Sequence, residues 1–166
     1  MMNAQEVSVN GKEIPRQDIK LEEIMHPAVT VAPDASEREA LKVLLENNVP
    51  GVPVVDGEGL LVGFVTDGHL LASAVPKYLA TMEDVSFVSE AGDAWFDYFA
   101  GSAERPVSEV MTTEVSQVEL GTSEVVAAHK MVHDGVSSVV VTDNGKAVGI
   151  VNRIDLYAAI VGPDRG

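Results

Sequence analysis

The chain contains no cysteine, and this absence removes disulfide bonds, thiolate metal ligands and thiol-based catalysis together. Aromatic residues make up only 5% of the sequence, so Val, Leu, Ile and Ala must fill most of the core. Hydrophobic residues nevertheless reach 46% of the 166 positions. That share is enough for a packed core, in one domain or two small ones, and it excludes global disorder.

Basic residues are also scarce, since 11 Lys and Arg stand against 26 Asp and Glu, for a formal net charge of −15. A chain this acidic repels phosphate backbones and anionic membrane surfaces. No window approaches about 18 uninterrupted apolar residues, and the opening sequence MMNAQEVSVNGKEIPRQ lacks the apolar run of a signal peptide. We therefore expect a soluble cytoplasmic protein that neither binds nucleic acid nor inserts into a membrane.

The sequence does contain an internal repeat. GFVTDGHLL at 63–71 returns as GIVNRIDLY at 149–157, and EIM at 23–25 returns as EVM at 109–111. Each copy has the order β-α-β-β-α, judged from its hydrophobic periodicity and turn residues. The repeat therefore predicts a mixed α/β (α+β) fold built from two similar units.

Helices are predicted in pairs, two for each copy. They cover 36–47, 67–75, 123–134 and 153–161. The first of them begins with a capping box formed by Ser36 and Glu39. Its apolar face carries Ala40, Leu41, Leu44 and Leu45, and the corresponding face in the second copy carries Val126, Ala127, Met131 and Val132. Asn144 and Gly145 predict a hairpin between the last two strands of the second copy.

Residues 76–105 lie between the copies and have no counterpart in either of them. Six of the eight aromatic residues fall in this insert: Tyr78, Phe87, Trp95, Phe96, Tyr98 and Phe99. This concentration predicts a folded helical insert and not a loose linker. We favour the interpretation that it covers part of the core; the alternative is an aromatic patch for a second subunit or a partner protein.

This pattern resembles a tandem cystathionine-β-synthase (CBS) domain pair, or Bateman module. The resemblance is carried by VPVVD at 52–56, by SVVVT at 138–142 and above all by the repeated turn motif. The family pattern in that motif is Gly, two apolar residues, Ser or Thr, two variable residues, Asp and an apolar residue. The resemblance implies two CBS repeats packed about a pseudo-two-fold axis. It divides the chain into an N-terminal segment (1–19), a first CBS motif (20–77), an aromatic-rich helical insert (78–105) and a second CBS motif (106–163).

The resemblance also implies a function. Such modules are regulatory or energy-sensing, are not enzymes and need no cofactor for catalysis. They bind adenosyl ligands such as AMP, adenosine, ADP, ATP or S-adenosylmethionine in clefts between the two motifs, and they often form homodimers. We accordingly expect an adenosyl ligand, a homodimer and a protein partner that the sequence does not name. The alternatives are a ligand-free structural or assembly module and a divalent-cation-responsive regulatory module.

The resemblance assigns the ligand contacts residue by residue. One cleft would join Ile150, Asn152 and Asp155 to Ala32, Val49 and Pro50. The other cleft would join Phe64, Thr66 and His69 to Thr113, Val118, Val136 and Ser137. Arg153 is one of the nearest cations in sequence for a phosphate, and the scarcity of such cations favours adenosine, AMP or S-adenosylmethionine over ATP.

The chemistry of the turn supports this assignment. Thr66 and Asn152 suit the N-cap position of the helix that follows each of them. A carboxylate at Asp155 can accept hydrogen bonds from two ribose hydroxyls, although Asn152 and Asp155 would equally form a capping box without any ligand. A neutral imidazole at His69 lacks this bidentate acceptance. The cleft with His69 is therefore predicted to bind ribose weakly, to take another ligand or to be empty.

Three further groups of residues are candidate sites. His129 and His133 have the spacing of a zinc pair, but no third ligand is indicated and an exposed pair is favoured over a metal site. His26 is interpreted as a loop residue. The acidic run of Glu83, Asp84, Glu90 and Asp93 could gather divalent cations, but a solvated face is favoured.

Overall fold

The computed structural model describes residues 6–9, 12–15, 19–91 and 94–162, and the side chains within 19–88 and 96–162. Its strands are β1 (Glu6–Val9), β2 (Lys12–Pro15), β3 (His26–Pro27), β4 (Gly51–Val55), β5 (Leu61–Thr66), β6 (Gln117–Glu119), β7 (Ser138–Asp143) and β8 (Lys146–Asn152). Its helices are α1 (Leu21–Ile24), α2 (Glu37–Asn47), α3 (Asp67–Ala74), α4 (Lys77–Ala80), α5 (Ala94–Ser102), α6 (Glu124–Asp134) and α7 (Arg153–Val161). The predictions for Glu90, Asp93 and Trp95 concern side chains outside the described ones.

The mixed α+β fold with two repeats is confirmed. The four predicted helices are α2, α3, α6 and α7, and each agrees with its prediction to within one residue at either end. The predicted capping box of α2 is also present. The Ser36 hydroxyl oxygen accepts from the Glu39 N–H at 3.1 Å, and the Ser36 N–H donates to the Glu39 carboxylate at 2.7 Å.

The chain folds into two compact units that do not coincide with consecutive halves of the sequence. Unit 1 comprises Met1–Ala28, Gly59–Leu61 and Val115–Gly166, and unit 2 comprises Val29–Glu58 and Val62–Glu114. The segment around Met25, which opens the first repeat in the sequence, therefore belongs to the unit that is built mainly from the second repeat. The sequence boundaries at 20, 78 and 106 stay a prediction.

Unit 1 contains a four-stranded sheet in the order β3-β8-β7-β6. β8 is antiparallel to both β3 and β7, whereas β6 is parallel to β7. The β7–β8 hairpin turns at Asn144 and Gly145, whose φ values of 50° and 81° confirm the predicted Asn-Gly turn. The helices α1, α6 and α7 cover this sheet with buried side chains that include Leu21, Met131 and Leu156. The hairpin of β1 and β2 was not predicted.

Unit 2 repeats the same arrangement with shorter pairings. β4 and β5 form its sheet. A parallel bridge joins Val31 to Val54, and an antiparallel bridge joins Phe64 to Thr112. Phe64 and Thr112 exchange two backbone hydrogen bonds, each of 2.9 Å. Thr112 in unit 2 thus takes the place that His26 takes in unit 1, beside the strand that leads into the repeated turn.

The first residue of the repeated motif is glycine because another strand passes close to it. In unit 1, a Cβ atom at Gly149 would lie 2.5 Å from the Met25 sulfur and 3.1 Å from the His26 carbonyl oxygen. In unit 2, a Cβ atom at Gly63 would lie 3.0 Å from the Thr112 carbonyl oxygen. A backbone oxygen cannot move away without breaking the strand pairing, so only glycine fits both positions.

Gly149→Ala is therefore expected to lower the free energy of unfolding by about 1–3 kcal/mol through overpacking. The matched control is Gly57→Ala, because a Cβ there would meet nothing within 4 Å. Urea denaturation of the two variants measures the difference. Equal stability of both variants would show that β3 does not lie tightly against β8.

The insert consists of α4, a 3₁₀ segment at Ser86–Ala91 and α5. Among its described side chains, Pro76, Leu79 and Ser102 are buried. Four of its aromatic side chains are exposed: Tyr78, Phe87, Phe96 and Tyr98. This exposure opposes the favoured prediction that the aromatic residues of the insert cover the core, and it agrees with the alternative of a surface patch.

The end of the insert is attached to the start of α2. The Glu37 N–H donates to the Arg105 carbonyl and the Arg38 N–H to the Ala103 carbonyl, both at 2.9 Å. Arg38 also forms an ion pair of 2.8 Å with Glu104. These contacts satisfy N–H groups that a helix start leaves unpaired, so the insert serves as the backbone cap of α2.

No helix in the described segments is long and apolar enough to cross a membrane.

Candidate ligand-binding site

The candidate site lies in unit 1 where β8 ends and α7 begins. Asn152 is the last residue of the strand and stands in extended conformation at the N-cap of α7. The Arg153 N–H donates to the Ser137 carbonyl at 2.9 Å, which fixes the turn against the start of β7. Asp155 lies in the first turn of the helix, where the helix dipole favours a negative charge.

The Asp155 carboxylate is held by two side chains. His26 Nε2 lies 2.8 Å from its Oδ2, and the Asn152 side-chain amide donates to the same oxygen at 3.3 Å. The Asn152 side chain makes no capping hydrogen bond to the backbone of α7. The alternative interpretation of Asn152 and Asp155 as a capping box is therefore wrong for this turn. The carboxylate is left for other contacts and remains about a quarter exposed.

The interpretation of His26 as a loop residue is also wrong. His26 lies in β3, directly opposite Ile150 of β8, and this pairing brings its imidazole to Asp155. One sequence signal could have found it. Met25 and Met111 occupy matching positions in the EIM and EVM segments. His26 and Thr112, the residues that follow them, therefore correspond, and each of them pairs with the strand that leads into a repeated turn.

The equivalent turn in unit 2 uses its histidine differently. The Thr66 hydroxyl oxygen accepts from the His69 N–H at 3.1 Å, and the Thr66 N–H donates to His69 Nδ1 at 3.2 Å. His69 therefore completes a capping box with Thr66 at the start of α3. Because Nδ1 accepts a hydrogen bond, the ring proton resides on Nε2. This turn offers an imidazole donor where the other offers a carboxylate acceptor.

Both turns thus contain an imidazole, but it comes from different elements. In unit 1 it comes from β3 and meets the carboxylate of α7. In unit 2 it comes from α3 itself and is used by the helix cap. The two turns therefore have unlike chemistry. Three residues after the N-cap, the turn of unit 1 places a carboxylate, which can accept from a pair of vicinal hydroxyls, whereas the turn of unit 2 places an imidazole.

The predicted ligand-contact residues are divided between the two units. Unit 1 contains Ile150, Asn152, Arg153, Asp155, Val118, Val136 and Ser137, and unit 2 contains Ala32, Val49, Pro50, Phe64, Thr66, His69 and Thr113. Each predicted cleft combines residues of unit 1 with residues of unit 2. The two clefts stay a prediction. Ile150 and Val118 are buried, whereas Ala32, Pro50, Thr113 and Ser137 are exposed. Exposed members are the better candidates for direct contact with a ligand.

The other histidine pair and the acidic run form no metal centre in the part of the chain that is described. The rings of His129 and His133 stack in parallel with centroids 5.8 Å apart. No group of three potential metal ligands occurs among the described residues. The Asp84 carboxylate accepts a hydrogen bond from the Ser86 N–H at 2.9 Å. This bond and a second one from the Ser86 side chain lower the pKa of Asp84.

Comparison with known proteins assigns the chain to a family. The CBS domain family matches twice, over residues 21–75 and 107–162. The chain therefore belongs to the CBS domain family, and its two matches make it a tandem CBS pair. The predicted family is confirmed.

Solved structures agree with this assignment. The CBS domain of a CBS domain-containing membrane protein from Sphaerobacter thermophilus is 32% identical, with a TM-score of 0.63 over 80% of this chain and 81% of that one. CBSX2, solved in complex with AMP, is 26% identical, with a TM-score of 0.64 over 87% of this chain and 97% of that one. Tandem CBS pairs with this fold thus include a protein that binds AMP.

Among curated proteins, the chloroplastic CBS domain-containing protein CBSX1 of Arabidopsis thaliana is 32% identical over 136 residues, which cover 78% of this chain and 57% of CBSX1. The chain spans between 34% and 57% of the length of the curated relatives it matches. The cytoplasmic location of this chain stays a prediction.

Proposed function

We propose that this chain is a non-enzymatic regulatory module that binds an adenosyl ligand, with the ribose held at Asp155. One observation carries the proposal: the Asp155 carboxylate does not cap its own helix and is instead held by His26 and Asn152. The AMP complex of the similar CBSX2 supports the ligand class.

Asp155 supplies the charge-assisted acceptor for the two ribose hydroxyls. Both of its described contacts fall on Oδ2, and a carboxylate has about four acceptor positions, so Oδ1 is the first oxygen we assign to the ribose. Asn152 and the N–H groups at the start of α7 favour an oxyanion or a hydroxyl beside it. A net charge of −15 opposes a triphosphate, so AMP, adenosine and S-adenosylmethionine are the preferred ligands.

A thermal-shift titration tests this proposal with AMP, S-adenosylmethionine and Mg²⁺ as the probes. A ligand present at about 100 times its Kd adds about 2.7 kcal/mol to the stability of the native state. For a chain of this size we expect AMP or S-adenosylmethionine to raise the Tm by several degrees. A rise with Mg²⁺ alone would support a cation-responsive module, and no rise with any probe would support the ligand-free alternative.

We also propose that the chain forms a homodimer through apolar helix faces. In unit 1 a groove of about 570 Å³ lies between α6 and α7, and its lining includes Val132, Ile154, Tyr157 and Ile160. Val132 is 85% exposed there. In unit 2, Leu45 and Leu71 are likewise exposed on α2 and α3. Only part of each predicted apolar helix face is thus used by the core, and a second copy would bury the rest.

Val132→Asp is expected to shift the chain from dimer to monomer, because a carboxylate in an apolar interface loses its hydration without a partner. Leu120→Asp is the control, since Leu120 lies in the loop after β6 and does not line the groove. Light scattering coupled to gel filtration measures both masses. A dimer that survives Val132→Asp, or a native chain that is monomeric, would contradict the proposal.

A further inference from the structure

Helices α2, α3 and α7 each carry a hydrogen-bond acceptor at their third residue. In α2 the Ser36 N–H donates to the Glu39 carboxylate at 2.7 Å, and in α3 the Thr66 N–H donates to His69 Nδ1 at 3.2 Å. In both helices the third residue thus turns back to the backbone of the N-cap, as in a capping box. Asp155 is the third residue of α7, but α7 has no such box.

The side chain of Asp155 is long enough to reach the N-cap. The carboxylate oxygens of aspartate and Nδ1 of histidine are all bonded to Cγ, and His69 Nδ1 does reach the N-cap N–H of α3. A carboxylate is also the stronger acceptor, because hydrogen bonds to a charged group are stronger than those between neutral groups. Another contact, and not a lack of reach, therefore keeps Asp155 from capping α7.

That contact is made by His26, whose Nε2 lies 2.8 Å from Asp155 Oδ2. Because a carboxylate only accepts hydrogen bonds, Nε2 carries the proton. The backbone fixes the imidazole here, since His26 pairs directly with Ile150 and directly opposed residues of two antiparallel strands point to the same face of the sheet. Gly149 permits this close pairing, because a Cβ atom there would lie 3.1 Å from the His26 carbonyl oxygen.

Unit 2 has a different residue at the position of His26. Thr112 pairs with the strand that leads into the repeated turn, but its hydroxyl oxygen accepts from the Glu114 N–H at 3.2 Å. The described hydrogen bonds of the His69 side chain and backbone go to Thr66 and not to Thr112. Without a donor from the neighbouring strand, the third residue of the helix caps the helix. With such a donor, as in unit 1, it does not.

We propose that His26 is a positioning residue, whose Nε2–H draws the Asp155 carboxylate away from the N-cap of α7 and holds it where Oδ1 meets the ribose. This inference rests on the proposed binding of an adenosyl ligand at Asp155. Without His26 the carboxylate turns to the Asn152 N–H and must leave that cap before a ribose can bind. A side chain that is already held in its binding orientation loses less entropy when the ligand arrives.

The same pair contributes little to the stability of the fold. The His26 and Asp155 side chains are 46% and 26% exposed, and partly exposed pairs of this kind contribute little. When His26 is removed, the released carboxylate caps α7 and offsets the loss. A positioning role therefore predicts lower affinity at unchanged stability, whereas a merely structural role predicts that both fall together.

Calorimetric titration of the full chain with AMP tests this role. His26→Leu removes the donor, and we expect it to weaken AMP binding by about fivefold to tenfold. His26→Gln offers an amide N–H at a similar reach, and we expect it to restore most of the affinity. His129→Leu is the matched control, because His129 is an exposed histidine that stacks on His133 of the same helix; its affinity should be unchanged. All three variants should keep the urea midpoint of the wild-type chain.

An NMR measurement without ligand separates this inference from the proposed function. His26→Leu and His26→Gln both lose the imidazole ring current, so the Gln variant serves as the reference for the Leu variant. We expect the Asn152 amide proton to lie further downfield in His26→Leu, because only there does it gain a carboxylate acceptor. If this shift occurs but the wild-type chain does not bind AMP, the adenosyl proposal fails and the positioning of Asp155 by His26 stands.

Four results would overturn the inference. AMP binding in His26→Leu that equals or exceeds that of the wild-type chain would show that the imidazole does not help the ribose. Equal weakening in His26→Gln would show that the Nε2 donor is not what matters. A lower urea midpoint in His26→Leu that accompanies the loss of affinity would indicate a structural role. The same Asn152 amide shift in both variants would show that the carboxylate does not move to the cap.

Discussion

Arg105→Ala is expected to lower the free energy of unfolding by about 3–5 kcal/mol, because it leaves a buried carboxylate without its cation. The Glu37 side chain is only 4% exposed, and Arg105 Nε lies 3.5 Å from its Oε1. That oxygen is buried and has no hydrogen bond among the described residues. The other oxygen, Oε2, accepts from the Ser73 hydroxyl. Removal of the guanidinium therefore leaves only one neutral donor for a buried charge.

The control for this variant is Arg38→Ala. Arg38 also pairs with a carboxylate, but both members are more than half exposed, and such a pair contributes about 0–1 kcal/mol. A double variant, Glu37→Leu with Arg105→Leu, removes both charges and is expected to recover most of the loss. Urea denaturation measures all three. A loss in Arg105→Ala no larger than in Arg38→Ala would show that the cluster does not hold the insert.

Asp155→Asn is expected to weaken AMP binding by about 10-fold to 100-fold. The change preserves the size of the side chain but removes the charge and turns one acceptor into a donor. Hydrogen bonds to a charged group are worth about 1.5–3 kcal/mol each, and about 1.4 kcal/mol corresponds to a tenfold change in affinity. The loss of one such bond already gives the lower end of this range.

Isothermal titration calorimetry of Asp155→Asn against the wild-type chain measures this effect. Asp67→Asn is the matched control, because Asp67 stands in the first turn of α3 as Asp155 stands in that of α7. We expect Asp67→Asn to change the affinity less than threefold, which is below about 0.7 kcal/mol. Unchanged affinity and stoichiometry in Asp155→Asn would mean that the ribose is bound elsewhere.

The helices and the repeat could be predicted because their signals are local. The Ser36–Glu39 box, the Asn144-Gly145 turn and the apolar periodicity each lie within one element. The contact that matters most for the site is different in kind, since His26 and Asp155 are 129 residues apart. No spacing rule reaches that far. Only the correspondence of Met25 with Met111 hinted that His26 joins a sheet.

The two turns show why a motif alone does not settle the role of a side chain. Asn152 and Asp155 have the spacing of a capping box and do not form one, because His26 engages the carboxylate. His69 lacks the acid of such a box and completes it all the same through Nδ1. In both cases the role of the side chain depends on its hydrogen-bond partner. The fold of the backbone brings that partner into place, and the motif itself does not predict it.

The exposure of the insert was equally hard to predict. Phe96 and Phe99 lie on one side of a predicted helix, which normally indicates a buried face. In the structure Phe96 is exposed and Phe99 is half-buried. Composition revealed that the segment is aromatic, but whether its face meets the core depends on the few residues that attach it, such as Ser102 and Arg105.

The most direct test of the account is an NMR titration of the ¹⁵N-labelled chain with AMP. If the ribose is held at the start of α7, the amide signals of Asn152, Arg153 and Asp155 shift at the lowest AMP concentrations, and the imidazole signals of His26 shift with them. The amides of Thr66 and His69 should move less or only at higher concentration. Early shifts at Thr66 and His69 with none at Asp155 would contradict the account.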